Sequence, residues 1–355
     1  MLQNRLYKAI VIIKEHSLDA MLFTDMRNVR YLSGFTGTDG ALVVAPDKAC
    51  FLTDSRYVTQ AEQQVECPKI EYKQKLNGIA DYLSDSISHG KIGIEAHDLS
   101  VADFDELKSR CKSTIDLVPI KDSSVIRSVK DNDELVNIEK SAEISRKALE
   151  SIVDFIKPGK TEREIALELE IASRKFGSDV KAFDFIVASG VRGAMPHGVA
   201  SDKVVAEGEL VTIDFGSCYQ GYFSDETVNF ALGKIDSELL RIHDVVLKAH
   251  DLAIAAIKPG VFLSSIDKIA RDFIINKGYG EYFGHGLGHG VGLDVHEWPR
   301  VSPQSNACAE IGMVFTVEPG IYIPGLGGVR IEDMVVVTES GSRCLTNLPK
   351  ILRQL

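Results

Sequence analysis

Hydrophobic residues recur along this chain with two different periods. At the start, Leu2, Leu6, Ala9, Ile10 and Ile13 fall at helical spacing and predict an amphipathic helix. Short apolar runs follow. Residues 19–24 (DAMLFT) read as a strand, 40–57 (GALVVAPDKACFLTDSRY) as two strands joined by a Pro46-Asp47 turn, and 91–97 (KIGIEAH) as another. A helix is expected around Phe104–Cys111. This alternation predicts a small α/β domain. From Leu135 onward Ile138, Ala142, Ile144, Ala148, Leu149, Ile152, Val153 and Ile156 describe a long helix that Pro158-Gly159 ends. The pattern changes between Asp122 and Asp131, which divides the chain into one domain over 1–125 and a second over 126–355.

The second domain repeats itself. IKPG occurs at 156–159 and again at 257–260, an offset of 101. Each copy precedes an amphipathic stretch that stops at a glycine, Gly177 or Gly278, 18 residues past the glycine of its IKPG. Thr161 and Glu164 fit a capping box at the first of these helices. Further on, GELVTIDFG (208–216) aligns with GMVFTVEPG (312–320), and GYFSDE (221–226) with GVRIED (328–333), at offsets of 104 and 107. The larger domain therefore reads as a duplication, with helices packed on strands and a pair of carboxylates in each half.

A length of 355 residues accommodates two domains, and 45% hydrophobic with 26% charged residues is an ordinary globular balance. The net charge of −11 argues against a nucleic-acid partner, which favours a basic face. No segment approaches the roughly 18 apolar residues of a membrane span. The five-residue run AIVII near the N-terminus is too short for a signal-peptide core, so a cytoplasmic protein is expected. The six cysteines (50, 67, 111, 218, 308, 344) form no CxxC pair and read as thiols of a reducing compartment.

The chemistry concentrates in the repeat. Asp214 and Asp225 in one half, Glu318 and Glu332 in the other, all lie in apolar strand-like runs. One such acid is ordinarily a strand end or a turn residue. Four at matching positions are different, because each buried, uncompensated charge costs several kcal/mol or more, and metal ions supply the simplest counter-charge. Residues 284–297, GHGLGHGVGLDVHE, add His285, His289 and His296 among five glycines. These histidines are metal ligands, proton carriers or polar residues of a glycine-rich turn; the glycines imply sharp bends or close approach. Four carboxylates and an imidazole favour Mn²⁺, Co²⁺ or Fe²⁺ over a thiolate-type zinc site. Shared carboxylates suit a two-metal centre, for which hydrolysis is the expected reaction. His243 and His250 lie on a predicted helix outside every motif and read as structural. Three motif lookalikes fail on context. Asp214-Phe215-Gly216 has no kinase HRD loop, GHGLGHG lacks the Gly-Lys of a phosphate loop, and His296-Glu297 has no second zincin histidine.

Taken together, VTIDFG, SDET with Asp225 eleven residues after Asp214, HGLGHGVG, TVEPG and GGVRIED resemble the pita-bread metallopeptidases. The resemblance is to the Xaa-Pro branch, proline dipeptidase and aminopeptidase P, and it covers essentially the whole chain. It implies an α/β (α+β) architecture: a small creatinase/prolidase-like N-terminal domain followed by a duplicated pita-bread catalytic domain. It also implies that Asp225 and Glu332 bridge two divalent ions, that Asp214 completes one and that His289 and Glu318 complete the other. Mn²⁺ comes first among the metals, with Co²⁺, Fe²⁺ and Zn²⁺ compatible. By the same resemblance Glu318 is the general acid–base, His197 a substrate-side proton shuttle, and His285 and His296 line the substrate. Arg330 pairs with the site carboxylates. Arg192-Gly193, shortly before MPHG, departs from the Asn with a small residue of many relatives.

The implied substrates are short peptides with proline second, whose tertiary amide has no N–H for a general peptidase to bind. A dipeptidase is the main expectation, an aminopeptidase P acting on longer peptides the alternative, and an inactive binding protein on the same fold the reading from another class. A metal-free creatine amidinohydrolase is disfavoured by the full ligand set, and a methionine aminopeptidase by the N-terminal domain. The resemblance further implies a homodimer.

Overall fold

The structure, a computed structural model, describes residues 2–65, 70–74, 78–87 and 89–355; Cys67 lies outside them. The chain forms two compact units, Met1–Arg127 and Ser128–Leu355.

In the first unit, α1 (Leu2–Glu15) buries Leu6, Ala9, Ile12 and Ile13. Six strands follow: β1 (Ala20–Phe23), β2 (Ala41–Val44), β3 (Ala49–Thr53), β4 (Ile70–Gln74), β5 (Gly90–Glu95) and β6 (Ile115–Ile120). They form one sheet in the order β4-β3-β2-β1-β5-β6. Strands β1 to β3 pair antiparallel, and the remaining neighbours pair parallel. Ala20, Leu22, Val43, Leu52, Ile92, Ile94 and Leu117 supply the apolar core, with Leu83 and Leu107 from helices α4 (Gly78–Ser86) and α5 (Val101–Arg110). Helices α2 (Met26–Ser33) and α3 (Val58–Gln64), together with α4, β4 and β6, carry too few turns or alternations for their period to be read. Strand β6 even contains Pro119, which is tolerated because β6 lies at the sheet edge.

The second unit is built twice. The first half contains α6 (Asn132–Ile152), α7 (Glu162–Lys175), β7 (Ile186–Ser189), β8 (Leu210–Phe215), β9 (Cys218–Tyr219), β10 (Tyr222–Phe223) and β11 (Glu226–Ala231). The second contains α8 (Ser237–Ala256), α9 (Leu263–Asn276), β12 (Gly288–Gly290), β13 (Glu297–Val301), β14 (Val314–Val317), β15 (Gly320–Ile323), β16 (Gly327–Arg330), β17 (Asp333–Val337) and β18 (Ser342–Cys344). A last short strand, β19 (Arg353–Gln354), returns to the first half and pairs parallel with β11. The two main sheets run β19-β11-β8-β7 and β13-β12-β14-β17-β18.

Each half has its own apolar core. One joins Leu149, Ile152, Ile165 and Leu169 to Val187, Ile213, Phe215 and Val228. The other joins Ile242, Val246, Ile266 and Ile274 to Phe315, Val317 and Val335. Each such side chain contributes about 1.5–3 kcal/mol by leaving water. The repeated motifs do the same local work in both halves. Gly159 and Gly260 take positive φ and donate to Val205 and Ala309 carbonyls. Gly177 and Gly278 end α7 and α9 with φ of 104° and 89°, and the next residue donates back to Ser173 or Ile274. That is a glycine-dependent helix stop. The capping box at Thr161 and Glu164 is present, and a second one at Asp131 and Glu134 starts α6. The long helix expected through Ile156 ends at Ile152, where a short 3₁₀ turn takes over ahead of Pro158. Among the described residues no helix is long and apolar enough to cross a membrane.

Candidate metal centre

The four repeated carboxylates come from corresponding places. Asp214 is on β8, and Glu318 directly follows β14. Asp225 and Glu332 each occupy the short break between two strands, β10 to β11 and β16 to β17. A ligand placed at such a break is held by the ladder after it while its own side chain is free to turn into the site. Asp225, His289 and Glu332 each offer one ligand atom, all within 4.8 Å of one another. His289 Nε2 lies 3.3 Å from Glu318 Oε1 and 3.7 Å from Asp225 Oδ2. Asp214 is tied in by Arg330, whose Nη2 donates to Asp214 Oδ2 at 2.5 Å.

The orientation of the His289 ring follows from its partners. Its Nδ1 faces the Gly290 carbonyl at 3.2 Å, and a carbonyl only accepts, so Nδ1 carries a proton and Nε2 is the nitrogen turned toward the carboxylates. Thr227 Oγ1 donates to Glu332 Oε2 at 2.6 Å, and Thr316 Oγ1 to Glu318 Oε1 at 3.3 Å. These hydroxyls fix the carboxylates from behind.

Arg330 organises a run of hydrogen bonds beside the cluster. Its Nη1 donates to Tyr322 Oη and to the Pro196 carbonyl, both at 3.0 Å. Tyr322 in turn meets His285 Nε2 at 3.0 Å, while His285 Nδ1 donates to the Gly286 carbonyl at 2.7 Å. The hydrogens run in one direction, from guanidinium to phenol to imidazole. Burial depresses the His285 pKa against the opposing Glu318 charge, which suits a neutral ring in that chain. The His296 ring packs on His289 with centroids 4.2 Å apart. His197 is exposed, one residue beyond the Pro196 carbonyl that Arg330 holds.

Arg192, the departure noted in the sequence, donates to Val199 O at 3.0 Å and pairs with buried Glu162, so it braces both sides of the His197 loop. His243 and His250 are buried on α8. His250 Nε2 lies 3.2 Å from Asp333 Oδ2, a contact no sequence motif announced. Tyr322, Thr227 and Thr316 were also not singled out. Their only signal is position, since each lies within a few residues of a repeat carboxylate.

The electrostatics ask for cations. Asp214, Asp225 and Glu332 are all at most 8% exposed. Burial first, then repulsion from Glu332, Asp214 and Glu318, raises Asp225 well above the carboxylate range. Burial and the charges of Glu318 and Asp214 do the same to Glu332. At Glu318 the upward push of burial is outweighed by the His289 hydrogen bond and charge, which hold it at about 2. Asp214 Oδ1 and Asp225 Oδ1 are buried with no hydrogen-bond partner at all. Buried acceptors without donors are costly in a protein interior. Four carboxylates facing one guanidinium therefore fit divalent metal ions.

Comparison with known proteins places this arrangement. Residues 136–339 match Metallopeptidase family M24, and residues 5–129 match the creatinase/prolidase N-terminal domain. The chain belongs to metallopeptidase family M24, and it is an enzyme of that family, whose members' chemistry implies divalent metal ions. More particularly, it is 40% identical to the Xaa-Pro dipeptidase of Pyrococcus furiosus over 99% of this chain and 100% of that one. The solved structure of Xaa-Pro dipeptidase from Bacillus anthracis matches all of both chains at 39% identity and a TM-score of 0.95. That of an X-Pro aminopeptidase from Thermotoga maritima covers 96% of this chain and 98% of its own, at 39% identity and a TM-score of 0.85. The expected architecture, a creatinase-like domain followed by a duplicated catalytic domain, is the one observed.

Proposed function

We propose that this enzyme hydrolyses the Xaa-Pro bond of short peptides, principally dipeptides, with two divalent metal ions held by Asp214, Asp225, His289, Glu318 and Glu332. The observation that carries the reading is the pair of partnerless buried oxygens on Asp214 and Asp225, beside the convergent Asp225, His289 and Glu332 and the neighbouring charge of Glu318. These five side chains would hold the ions, two carboxylates from each half of the duplication together with the His289 imidazole. Mn²⁺ is the metal we assign first; Co²⁺, Fe²⁺ and Zn²⁺ suit the same donors. The bound metals supply the acidity that activates water and the charge that polarises the scissile carbonyl.

The protein's own groups then divide the work. Glu318 takes the proton of the attacking water and hands it to the proline nitrogen as the C–N bond breaks. That nitrogen needs a proton because the tertiary amide leaves as a secondary amine. His285, oriented by Tyr322 and Arg330, and His296, packed on His289, line the substrate beside the scissile carbonyl. His197 serves as the substrate-side proton shuttle, on a loop braced by Arg192 and Arg330. The dipeptidase relatives favour the shorter substrates, while the Thermotoga aminopeptidase keeps longer peptides in view. A cytoplasmic location, expected from the sequence, and a homodimer, which rests on family resemblance, complete the proposal.

Protein stripped with EDTA is expected to be inactive toward Ala-Pro and to regain turnover on addition of Mn²⁺, with Ala-Ala uncleaved. Release of proline from Ala-Pro but not cleavage of Ala-Pro-Ala-Ala identifies a dipeptidase; efficient cleavage of the tetrapeptide identifies an aminopeptidase P. Metal uptake with no hydrolysis of either would overturn the enzymatic assignment in favour of a binding role.

A further inference from the structure

Two of the site carboxylates are each followed by a second acid: Glu226 follows Asp225, and Asp333 follows Glu332. Each opens a strand, β11 or β17, where successive side chains point to opposite faces. The first acid of each pair turns into the metal cluster, and the second turns away from it. Behind the site those second acids meet one lysine. Lys350 Nζ lies 2.5 Å from Glu226 Oε1 and 3.1 Å from Asp333 Oδ1. All three side chains are at most 9% exposed. Glu226 Oε1 also accepts from Leu348 N at 3.0 Å, but its Oε2 has no partner, so Lys350 carries most of its compensation. Asp333 Oδ1 accepts from Thr346 Oγ1 at 2.6 Å, and His250 stands at its other oxygen.

We infer that Lys350 is a positioning residue for the metal centre, clamping Glu226 to Asp333 and thereby setting the separation of Asp225 and Glu332. The inference rests on the proposed ligand roles of those two residues. Strands β11 and β17 belong to different sheets. Besides Lys350, they are joined beside the site by Glu332 N donating to Thr227 O and by the Thr227–Glu332 side-chain bond. Lys350 comes from neither half of the duplication. It lies on the C-terminal segment that runs from β18 to β19, so this tail ties the two halves together under the ligands. Without its ammonium, two buried carboxylates face each other one residue from Asp225 and Glu332. Their repulsion opens the gap that the metals must span.

The test is calorimetric titration of Mn²⁺ into metal-stripped full-length protein, with melting temperature measured in parallel. Lys350→Met is expected to weaken Mn²⁺ binding by about ten- to a hundred-fold, the usual range for groups that orient ligands from behind. Lys350→Arg should bring affinity back to within a few-fold of wild type. Combining Lys350→Met with Glu226→Gln and Asp333→Asn removes the repulsion and should recover part of the loss. A folded Lys350→Met protein with a lowered melting temperature but wild-type Mn²⁺ affinity would make the lysine purely structural and overturn the inference. Should Lys350→Met not fold, Thr346→Val, which removes the hydroxyl that donates to Asp333 and accepts from Met334 N but leaves Lys350 in place, decides the matter. A several-fold weaker Mn²⁺ affinity supports the clamp, and an unchanged one refutes it. Wild-type protein that takes up no Mn²⁺ would instead defeat the metal-site reading on which the clamp depends.

Discussion

Asp225→Asn or Glu332→Gln is expected to abolish metal uptake and turnover together. Each replacement keeps the shape of the side chain but removes one charge from the centre of the cluster and substitutes an amide donor for an acceptor oxygen. At Asp225 the oxygen lost or reversed is one that has no protein donor to compensate it. At Glu332 the Thr227 hydroxyl still finds an acceptor, so the loss falls on the metal side. A loss of about 4 kcal/mol of transition-state stabilisation lowers kcat/KM about a thousand-fold, and we expect at least that. Misfolding is separable from this effect. In metal-free protein Asp225 is a buried carboxylate facing three others, so its neutral amide should leave the metal-free melting temperature equal or higher. What should vanish is the rise in melting temperature that Mn²⁺ is expected to give the wild type through binding the native state. An Asp225→Asn enzyme with wild-type turnover and a wild-type response to Mn²⁺ would remove Asp225 from the centre.

The second large effect comes from a residue with no side chain. A Cβ built on Gly288 would lie 1.9 Å from the Thr316 carbonyl oxygen, and that neighbour is backbone, with no rotamer to yield. Gly288→Ala must therefore push β12 away from β14. That movement carries His289 off Glu318, now 3.3 Å away, and breaks the 3.1 Å bond from His289 N to Thr316 Oγ1. Displacement of a reacting group by about 1 Å can cost about a hundred-fold in rate, so kcat/KM for Ala-Pro should fall by that order, with reduced Mn²⁺ affinity. Gly284→Ala is the control from the same glycine-rich segment. Nothing lies within 4 Å of its Cβ position, and its stability should stay within about 0.5 kcal/mol of wild type. Equal activity of the two variants would show that close backbone packing at Gly288 does not hold His289 in place.

Particular residues show where sequence reasoning reached and where it stopped. The duplication was legible because helix-stopping glycines and strand carboxylates recur at nearly constant offsets, and local rules suffice to interpret them. Gly177 and Gly278 both adopt the positive φ their place after a helix implies. The five glycines around the histidines predicted close approach, but not what approaches. For Gly288 it is the facing strand, and for Gly290 it is the Trp298 carbonyl. The short elements of the first unit were missed because eight residues of helix make only about two turns and five of strand only about two alternations, too few for a period to stand out. The chain from Arg330 through Tyr322 to His285 was out of reach for another reason. Tyr322 and His285 are 37 positions apart, and nothing in either neighbourhood marks them as partners.

By itself, the sequence determined the duplicated framework and the donor types of the site, since periodicity, caps and residue chemistry are local properties. Tertiary structure alone decided which oxygens lack partners, which nitrogen of His289 faces the acids, and that Lys350 stands behind both ligand strands. Those facts depend on side chains meeting across sheets, and hydrogen-bond direction and burial exist only once the two halves have closed on each other.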